Sequence, residues 1–141
     1  MYAHAREAYP DECCGMIFER DGGEEIIRVT NVQNELNAQD PVRFPRTAAT
    51  GYTMGSEAAP ILIGSERGEL RLLAIYHSHP DREAYFSQED RKQAFGARGE
   101  PIYPHAGYFV MSVRNRDVRD TKVFVWDATA RDFVEAQVCS S

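Results

Sequence analysis

The segment LRLLAIYHSHPDREAYFSQED, residues 70–90, contains the strongest structural signals in the chain. Residues 70–76 are mostly apolar over a short run, which is typical of a buried strand. The polar stretch over 77–87 predicts a loop, and Pro80 is expected to stop the strand and turn the chain. The segment therefore predicts that a buried strand delivers a polar sequence to one edge of a sheet.

A helix is predicted directly after this loop. Ser87 is a favourable N-cap residue for a helix that begins near Gln88. Asp90 then occupies the third helical position, where a carboxylate interacts favourably with the positive end of the helix dipole. The loop is therefore expected to end at a capped helix that carries an acidic side chain in its first turn.

The rest of the chain alternates short helical and extended patterns. The predicted elements are a helix at 2–9, a hairpin of strands at 14–20 and 25–32, a loop at 34–46, a broken helix at 47–68, and strands at 107–113, 121–126 and 132–138. Strands interspersed with helices favour an α/β fold, with a mixed β-sheet flanked by helices. The length and the lack of a linker predict one domain, residues 1–141.

Composition narrows the function classes. Sixteen basic residues against 22 acidic ones give a net charge of −6, so a nucleic-acid partner is not expected. No apolar run approaches the roughly 20 residues that cross a bilayer, and the first ten residues lack the apolar stretch of a secretion signal. These features favour a cytoplasmic protein without a membrane partner. Cys13, Cys14 and Cys139 form neither a disulfide framework nor a CxxC pair.

Three side chains of this segment can share one metal ion. His77 and His79 are one residue apart, so both point the same way if the chain stays extended. Asp90, on the following helix, can return a carboxylate to the same point. Two imidazoles and one carboxylate suit zinc, and three protein ligands leave a fourth position for water. His4 and His105 lie outside this pattern and are interpreted as structural or exposed.

Hydrolysis at such a centre also needs a base that does not bind the metal. The base takes a proton from water and later gives it to the leaving amine. Glu83 and Glu89 are near the histidines in sequence, and Glu12 precedes a strand at the other end of the chain. The pattern of residues alone leaves these three alternatives open.

Two motifs resemble the JAMM peptidases, also called MPN-plus or Mov34/PAD-1 proteins. His77-x-His79-Pro80 followed by Ser87-x-x-Asp90 is similar to the metal motif of that family. The segment 10–15, Pro-Asp-Glu-Cys-Cys-Gly, is similar to the glutamate segment of its small bacterial members. The resemblance extends over about residues 3–126. It also leads us to expect more chain before Pro10 than the nine residues present.

The resemblance implies a role for each matched residue. His77, His79 and Asp90 would be the ligands of one Zn²⁺ ion per chain. Glu12 would be the general acid and base, and Ser87 would donate a hydrogen bond to the carbonyl oxygen as it becomes an oxyanion. The fold implied is the JAB1/MPN sandwich, which is cytidine-deaminase-like.

The resemblance also implies a substrate. His77-Ser78-His79, followed by Glu83-Ala84-Tyr85, is most similar to small bacterial enzymes that act on sulfur-carrier proteins. The expected function is a zinc-dependent peptidase or isopeptidase that cleaves after the C-terminal Gly-Gly of such a ubiquitin-like carrier. The tail of the carrier can bind extended, as an added strand.

Two other function classes, a zinc deaminase and a non-catalytic scaffold, are compared with this sequence. Zinc deaminases use His-x-Glu and a downstream Cys-x-x-Cys, whereas this chain has His79 in place of the glutamate and lacks the second motif. A non-catalytic MPN-type scaffold that binds metal or partners is the alternative. The oligomeric state is left open, because an exposed edge strand can pair with a second copy as well as with a substrate tail.

Overall fold

The described part of the chain folds into a sheet of six strands with four helices. The computed structural model describes residues 1–137, so Cys139 and the end of the strand predicted at 132–138 lie outside the described residues. The elements are α1 (Tyr2–Ala8), β1 (Cys14–Arg20), β2 (Gly23–Val29), α2 (Gln33–Gln39), α3 (Ala58–Glu66), β3 (Arg71–Pro80), α4 (Gln88–Ala94), β4 (Gly107–Arg114), β5 (Asp117–Asp127) and β6 (Asp132–Ala136).

The strands form a single mixed sheet in the order β2-β1-β3-β4-β5-β6. Within residues 1–137, β3 and β4 are the one parallel pair, and each of the other neighbouring pairs is antiparallel. The β1–β2 hairpin turns through Asp21 and Gly22, which both have positive φ angles of 52° and 80°. The predicted α/β fold with a mixed sheet flanked by helices is confirmed.

Two apolar clusters cover the two faces of the sheet. The face that we call the α1 face packs against α1 and contains Ala5, Cys13, Tyr76, Met111 and Val113. The opposite face, which we call the site face, packs against α3 and α4 through side chains that include Ile61, Ile75, Phe86, Ala94 and Val110. Because side chains alternate along a strand, β3 contributes to both clusters.

The strand β3 is longer than predicted. It continues through His77 and His79 to Pro80, so the loop expected over 77–87 begins only after residue 80. The parallel partner β4 explains the difference, because His77 pairs with Val110 and His79 with Ser112 along the extended backbone. The histidines are therefore part of the central sheet.

Two predictions in the middle of the chain were wrong in detail. Residues 34–46 were expected to form a loop because of their prolines, but α2 occupies Gln33–Gln39 and ends before Pro41. The broken helix expected over 47–68 is one helix, Ala58–Glu66, preceded by irregular chain. Pro60 fits within its first turn, where a backbone N–H has no helical partner.

None of the helices in residues 1–137 combines the length and the apolar character that a membrane crossing requires.

Candidate metal centre

Two histidines project from β3 toward a common point on the site face. His77 and His79 are separated by one residue, so the pleat of the strand directs both side chains the same way. Both are almost completely buried, with 0% and 1% exposure. Their Nε2 atoms lie 3.1 Å apart. Two imidazole nitrogens therefore converge where one ion could contact both.

Asp90 brings a carboxylate to the same point from the first turn of α4. Its Oδ1 lies 3.1 Å from Nε2 of His77, and its Oδ2 lies 3.3 Å from Nε2 of His79. A capping box fixes it there, because the Ser87 hydroxyl accepts a hydrogen bond from the Asp90 N–H and Asp90 Oδ2 accepts one from the Ser87 N–H. The predicted cap and the predicted carboxylate are thus parts of one local structure.

The charge of Asp90 is set by these neighbours. Burial alone would raise the pKa of its carboxyl, but His77, His79 and the Ser87 N–H outweigh burial and lower that pKa well below its usual range. For His77, burial lowers the pKa of the imidazole, and the Asp90 carboxylate more than compensates, so that pKa is raised. The cluster is therefore arranged to keep a negative charge beside two imidazoles.

A backbone carbonyl fixes the tautomer of His79. Nδ1 of this ring lies 2.9 Å from the carbonyl oxygen of Glu83, which can only accept a hydrogen bond. In the neutral ring Nδ1 therefore carries the proton, and Nε2 presents its lone pair to the common point. This is the orientation that metal-binding histidines usually have.

An aromatic ring holds His77 in place. Tyr52 stacks on the imidazole with ring centroids 4.7 Å apart and an interplanar angle of 26°. Nδ1 of His77 is buried and has no hydrogen-bond partner within the described residues. Stacking on Tyr52 and the contact of Nε2 with Asp90 thus orient this ring, without a hydrogen bond to Nδ1.

The donor set fits a divalent metal such as zinc. The two Nε2 atoms face each other at 3.1 Å, and at most one of them can donate a proton to the other. A carboxylate oxygen of Glu12 also lies within 4.8 Å of both histidines. His77, His79 and either carboxylate could hold the ion, and Asp90 is the nearer one, since its two oxygens already contact both Nε2 atoms.

Glu12 lies at the edge of the cluster and is buried, with 3% exposure. Its backbone N–H donates to the carbonyl of Ala48 at 2.7 Å, and its carbonyl accepts a hydrogen bond from the Asn31 side chain at 2.9 Å. Burial raises the pKa of its carboxyl, although His77 and His79 act in the opposite direction. A carboxyl with a raised pKa near a metal centre is suited to accepting and returning a proton.

Arg82 contacts Glu12 directly. Its Nη2 donates to Oε2 of Glu12 at 2.5 Å, and its side chain is 27% exposed. The Ser112 hydroxyl donates to the carbonyl oxygen of Arg82 at 2.5 Å, which fixes the loop that carries it. An arginine therefore stands between the buried carboxylate and solvent.

These residues open into one cleft of about 270 Å³. Glu12, Arg82, Ser87 and Asp90 line its inner part. The segment that precedes α3 forms the opposite wall, and Asn31 holds that wall in place with hydrogen bonds to the backbone of Gly51 and Thr53. The cleft therefore reaches Glu12, Ser87 and Asp90, which surround the candidate metal centre.

The structure brings all five predicted site residues together: Glu12, His77, His79, Ser87 and Asp90. Of the other two candidate bases, Glu83 has a side chain that is 80% exposed and pairs with Arg114, and Glu89 pairs with Lys92. His105 is exposed, and His4 lies on the α1 face, 2.8 Å from the Tyr76 hydroxyl.

Sequence reasoning missed three residues of the site: Asn31, Tyr52 and Arg82. Asn31 and Tyr52 lie in stretches without apolar periodicity, and no motif distinguishes them. Arg82 lies inside the loop that the motif defines, but the motif leaves its position unspecified. Only the folded chain brings Tyr52 and Arg82 to the cleft and Asn31 to the backbone of Glu12, Gly51 and Thr53.

The comparisons with known proteins identify the family. The family described as prokaryotic homologs of the JAB domain matches residues 1–127. The chain belongs to this family. The CysO-cysteine peptidases of Mycobacterium tuberculosis and Mycobacterium bovis are 33% identical to this JAB domain over 119 residues, which covers 82% of the chain and 68% of those proteins.

Solved structures confirm the fold of the JAB domain. Protein DSY2949 from Desulfitobacterium hafniense superposes with a TM-score of 0.64 at 23% identity, over 99% of this chain and 84% of that one. A protein from Salinibacter ruber superposes with a TM-score of 0.58 at 20% identity, over 97% of this chain and 82% of that one.

Proposed function

We propose that this chain is a zinc-dependent peptidase that cleaves after the C-terminal Gly-Gly of a ubiquitin-like sulfur-carrier protein. The observation that carries the proposal is the convergence of His77, His79 and Asp90 on one point, with buried Glu12 beside them. Membership of the JAB family supports a peptidase. The relatives named CysO-cysteine peptidase support a sulfur carrier as substrate.

His77, His79 and Asp90 would hold the metal. When bound, zinc would supply a Lewis acid that lowers the pKa of water and polarises a carbonyl. The hydrogen bond from His79 Nδ1 to the Glu83 carbonyl keeps the Nε2 lone pair directed at the ion. The capping box holds Asp90 rigidly enough to act as a ligand without reorganisation.

Glu12 acts as the general base and then as the general acid. Its carboxylate accepts a proton from the attacking water as the oxygen of that water bonds to the carbonyl carbon. It then donates the proton to the amine nitrogen as the carbon–nitrogen bond breaks. Burial and the Arg82 ion pair hold the Glu12 side chain close to the cluster, so that it can serve both steps.

Ser87 stabilises the oxygen that becomes negative. Its hydroxyl oxygen already accepts the Asp90 N–H at 3.1 Å, so its own hydrogen remains free to be donated. The side chain lines the cleft beside Asp90, where the carbonyl of the substrate would lie. A preorganised donor of this kind contributes about 2.7–4 kcal/mol in comparable sites.

The test is cleavage of a sulfur carrier that bears residues beyond its Gly-Gly terminus. Zinc-loaded protein should release the extension, detected by mass spectrometry, and Glu12→Gln should slow release by about 10²–10⁴-fold while zinc content is unchanged. Glu83→Gln is the matched control, since it changes an exposed carboxylate near His79, and it should retain activity. Zinc binding without cleavage of any extended carrier would instead favour the scaffold alternative.

A further inference from the structure

Three arginines and three carboxylates line the cleft beside the candidate metal centre. Arg43, Arg46 and Arg82 all line it. Its carboxylates each have a partner already: Glu12 with Arg82, Glu89 with Lys92, and Asp90 with the two histidines. A divalent ion would add two positive charges to these walls. The cleft is therefore electrostatically suited to a negatively charged group of the substrate.

The chemistry assigns one side of the cleft to the leaving amine. The base that accepts the proton of water returns it to the amine nitrogen, so this nitrogen must come within hydrogen-bond distance of Glu12. Arg82 contacts the same carboxylate at 2.5 Å. Arg82 is therefore adjacent to the residue that would protonate the leaving amine.

We propose that Arg82, assisted by Arg43, binds a carboxylate on the leaving residue of the substrate. This inference rests on the proposed function and deepens it, because it names the chemical group that the site recognises beyond the scissile bond. In a leaving group of one residue, the α-carboxylate is joined to the amine nitrogen through Cα alone. A carboxylate so placed reaches the guanidinium while the amine faces Glu12.

The guanidinium of Arg82 has capacity for this second partner. Within residues 1–137 it makes a single hydrogen bond, from Nη2 to Glu12, although a guanidinium has five N–H donors. Its planar fork matches the geometry of a carboxylate. The hydrogen bond from the Ser112 hydroxyl to its backbone carbonyl keeps the residue at the cleft.

Arg43 supplies a positive charge that no carboxylate of the described chain neutralises. Its guanidinium lies 5.2 Å from the ring centroid of Phe44, and the ion pairs within residues 1–137 do not include it. Arg46, in contrast, lies 3.9 Å from Glu89 and donates a hydrogen bond to the carbonyl of Thr50. Arg43 is thus the second residue expected to attract an anion.

The experiment compares carriers that differ only at the end of the chain. The substrates are a sulfur carrier ending in Gly-Gly-Ala with a free carboxylate, the same carrier with a C-terminal amide, and a Gly-Gly-Asp carrier with a C-terminal amide. The zinc-loaded protein should cleave the free acid with a kcat/KM about 10–100-fold above that of the alanine amide. Comparison of the aspartate amide with the free acid shows whether the site accepts a side-chain carboxylate as well as an α-carboxylate.

Variants assign the preference to the arginines. Arg82→Ala should reduce the acid-to-amide ratio to near one, and Arg82→Lys should restore part of it. Arg43→Ala should reduce the ratio without touching Glu12, which keeps the test valid if Arg82→Ala fails to fold. The matched control is Arg114→Ala, which removes a partly exposed arginine that pairs with Glu83; the ratio should not change.

A binding measurement provides a readout without turnover. Chelator-treated wild-type protein should bind the acid carrier more tightly than the alanine amide carrier in isothermal titration calorimetry, and Arg82→Ala should remove the difference. Equal kcat/KM and equal affinity for acid and amide would overturn this inference while leaving the proposed peptidase intact. Cleavage of none of the carriers by zinc-loaded wild type would overturn the proposed function and this inference with it.

Discussion

The strand β3 carries polar side chains on both of its faces, and their surroundings differ between the two faces. On the α1 face, the Tyr76 hydroxyl lies 2.8 Å from His4, and Ser78 Oγ accepts the Cys13 N–H at 2.8 Å. On the site face, His77 and His79 direct their Nε2 atoms at each other and at Asp90. Alternation along a single strand thus separates polar groups that hydrogen-bond within the α1 face from polar groups that converge on one point of the site face.

The difference between the two faces shows how a candidate ion site can be distinguished from ordinary buried hydrogen bonds. Hydrogen bonds on the α1 face join side chains to partners of complementary character, as buried polar groups require. The cluster on the site face instead brings two imidazole Nε2 atoms within 3.1 Å of each other, beside the Asp90 carboxylate. Two nitrogens and a carboxylate that converge on one buried point indicate a site for an ion.

Substitution of a histidine should produce the largest effect. His77→Ala removes one of three proposed ligands, so bound zinc measured by elemental analysis should fall from about one per chain to a small fraction. Loss of a hydrogen-bond partner of a metal ligand already costs about 10–100-fold in metal affinity, and loss of a ligand itself should cost at least ~100-fold. The control is His105→Ala, at an exposed histidine outside the site, which should keep its zinc. Full zinc content in His77→Ala would contradict the distinction between the two faces.

Ser87 tests the site face without removing a ligand. Ser87→Gly and Ser87→Ala both delete the hydroxyl, and each should lower kcat by about 10²–10³-fold. Glycine replaces a serine N-cap at a cost of only a few tenths of a kcal/mol, whereas alanine costs about 1 kcal/mol. Thermal unfolding should therefore separate the two variants, although their rates should be similar. If Ser87→Gly were fully active, the hydroxyl would be only a helix cap.

Gly15 tests the packing of the α1 face. A Cβ at this position would overlap the ring of Tyr76, which is completely buried. Gly15→Ala should lower the free energy of unfolding by about 1–3 kcal/mol in chemical denaturation. Gly23→Ala is the matched control, because the nearest heavy atom there would lie 3.8 Å away. Equal stability of the two variants would mean that the ring of Tyr76 moves readily.

The smallest effect is expected from the hydroxyl of Tyr76. Tyr76→Phe removes the hydrogen bond with His4 and should lower the free energy of unfolding by about 0.5–1.5 kcal/mol. Metal content and cleavage rate should not change, since the hydroxyl lies on the face opposite the cleft. Tyr2→Phe, at a side chain that is 45% exposed in the same region, is the control and should have no effect on stability. A loss of metal in Tyr76→Phe would indicate that the two faces are coupled.

Parts of the molecule that depend on neighbours in sequence could be predicted. The Ser87 cap with Asp90 three residues later is a local device, and it formed as expected. The turn at Asp21 and Gly22 is equally local. The strand CGMIFER was predicted with its correct bounds, Cys14–Arg20. Each of these elements satisfies its backbone within a few residues.

Parts that depend on distant neighbours could not be predicted. The extension of β3 through His79 requires β4, which pairs with it from more than thirty positions later in the chain. The helix α2 has little apolar pattern, and its start is stabilised by a hydrogen bond from the Gln33 N–H to Asn31 Oδ1. The Tyr52 ring reaches His77 from irregular chain. No local pattern records such contacts.

Glu12 lies just before β1 and far in sequence from the histidines. This separation affects the order in which the site forms during folding. The residues from His77 to Asp90 lie within one short stretch, whereas the contact between Cys13 and Ser78 that brings Glu12 alongside joins positions 65 residues apart. Closing so large a loop is entropically costlier and slower than forming a local turn. In a partly unfolded chain the proposed ion-binding residues are therefore close together in sequence, whereas Glu12 comes alongside only when β1 pairs with β3. Any activity that needs both the proposed ligands and Glu12 is thereby tied to completion of the sheet.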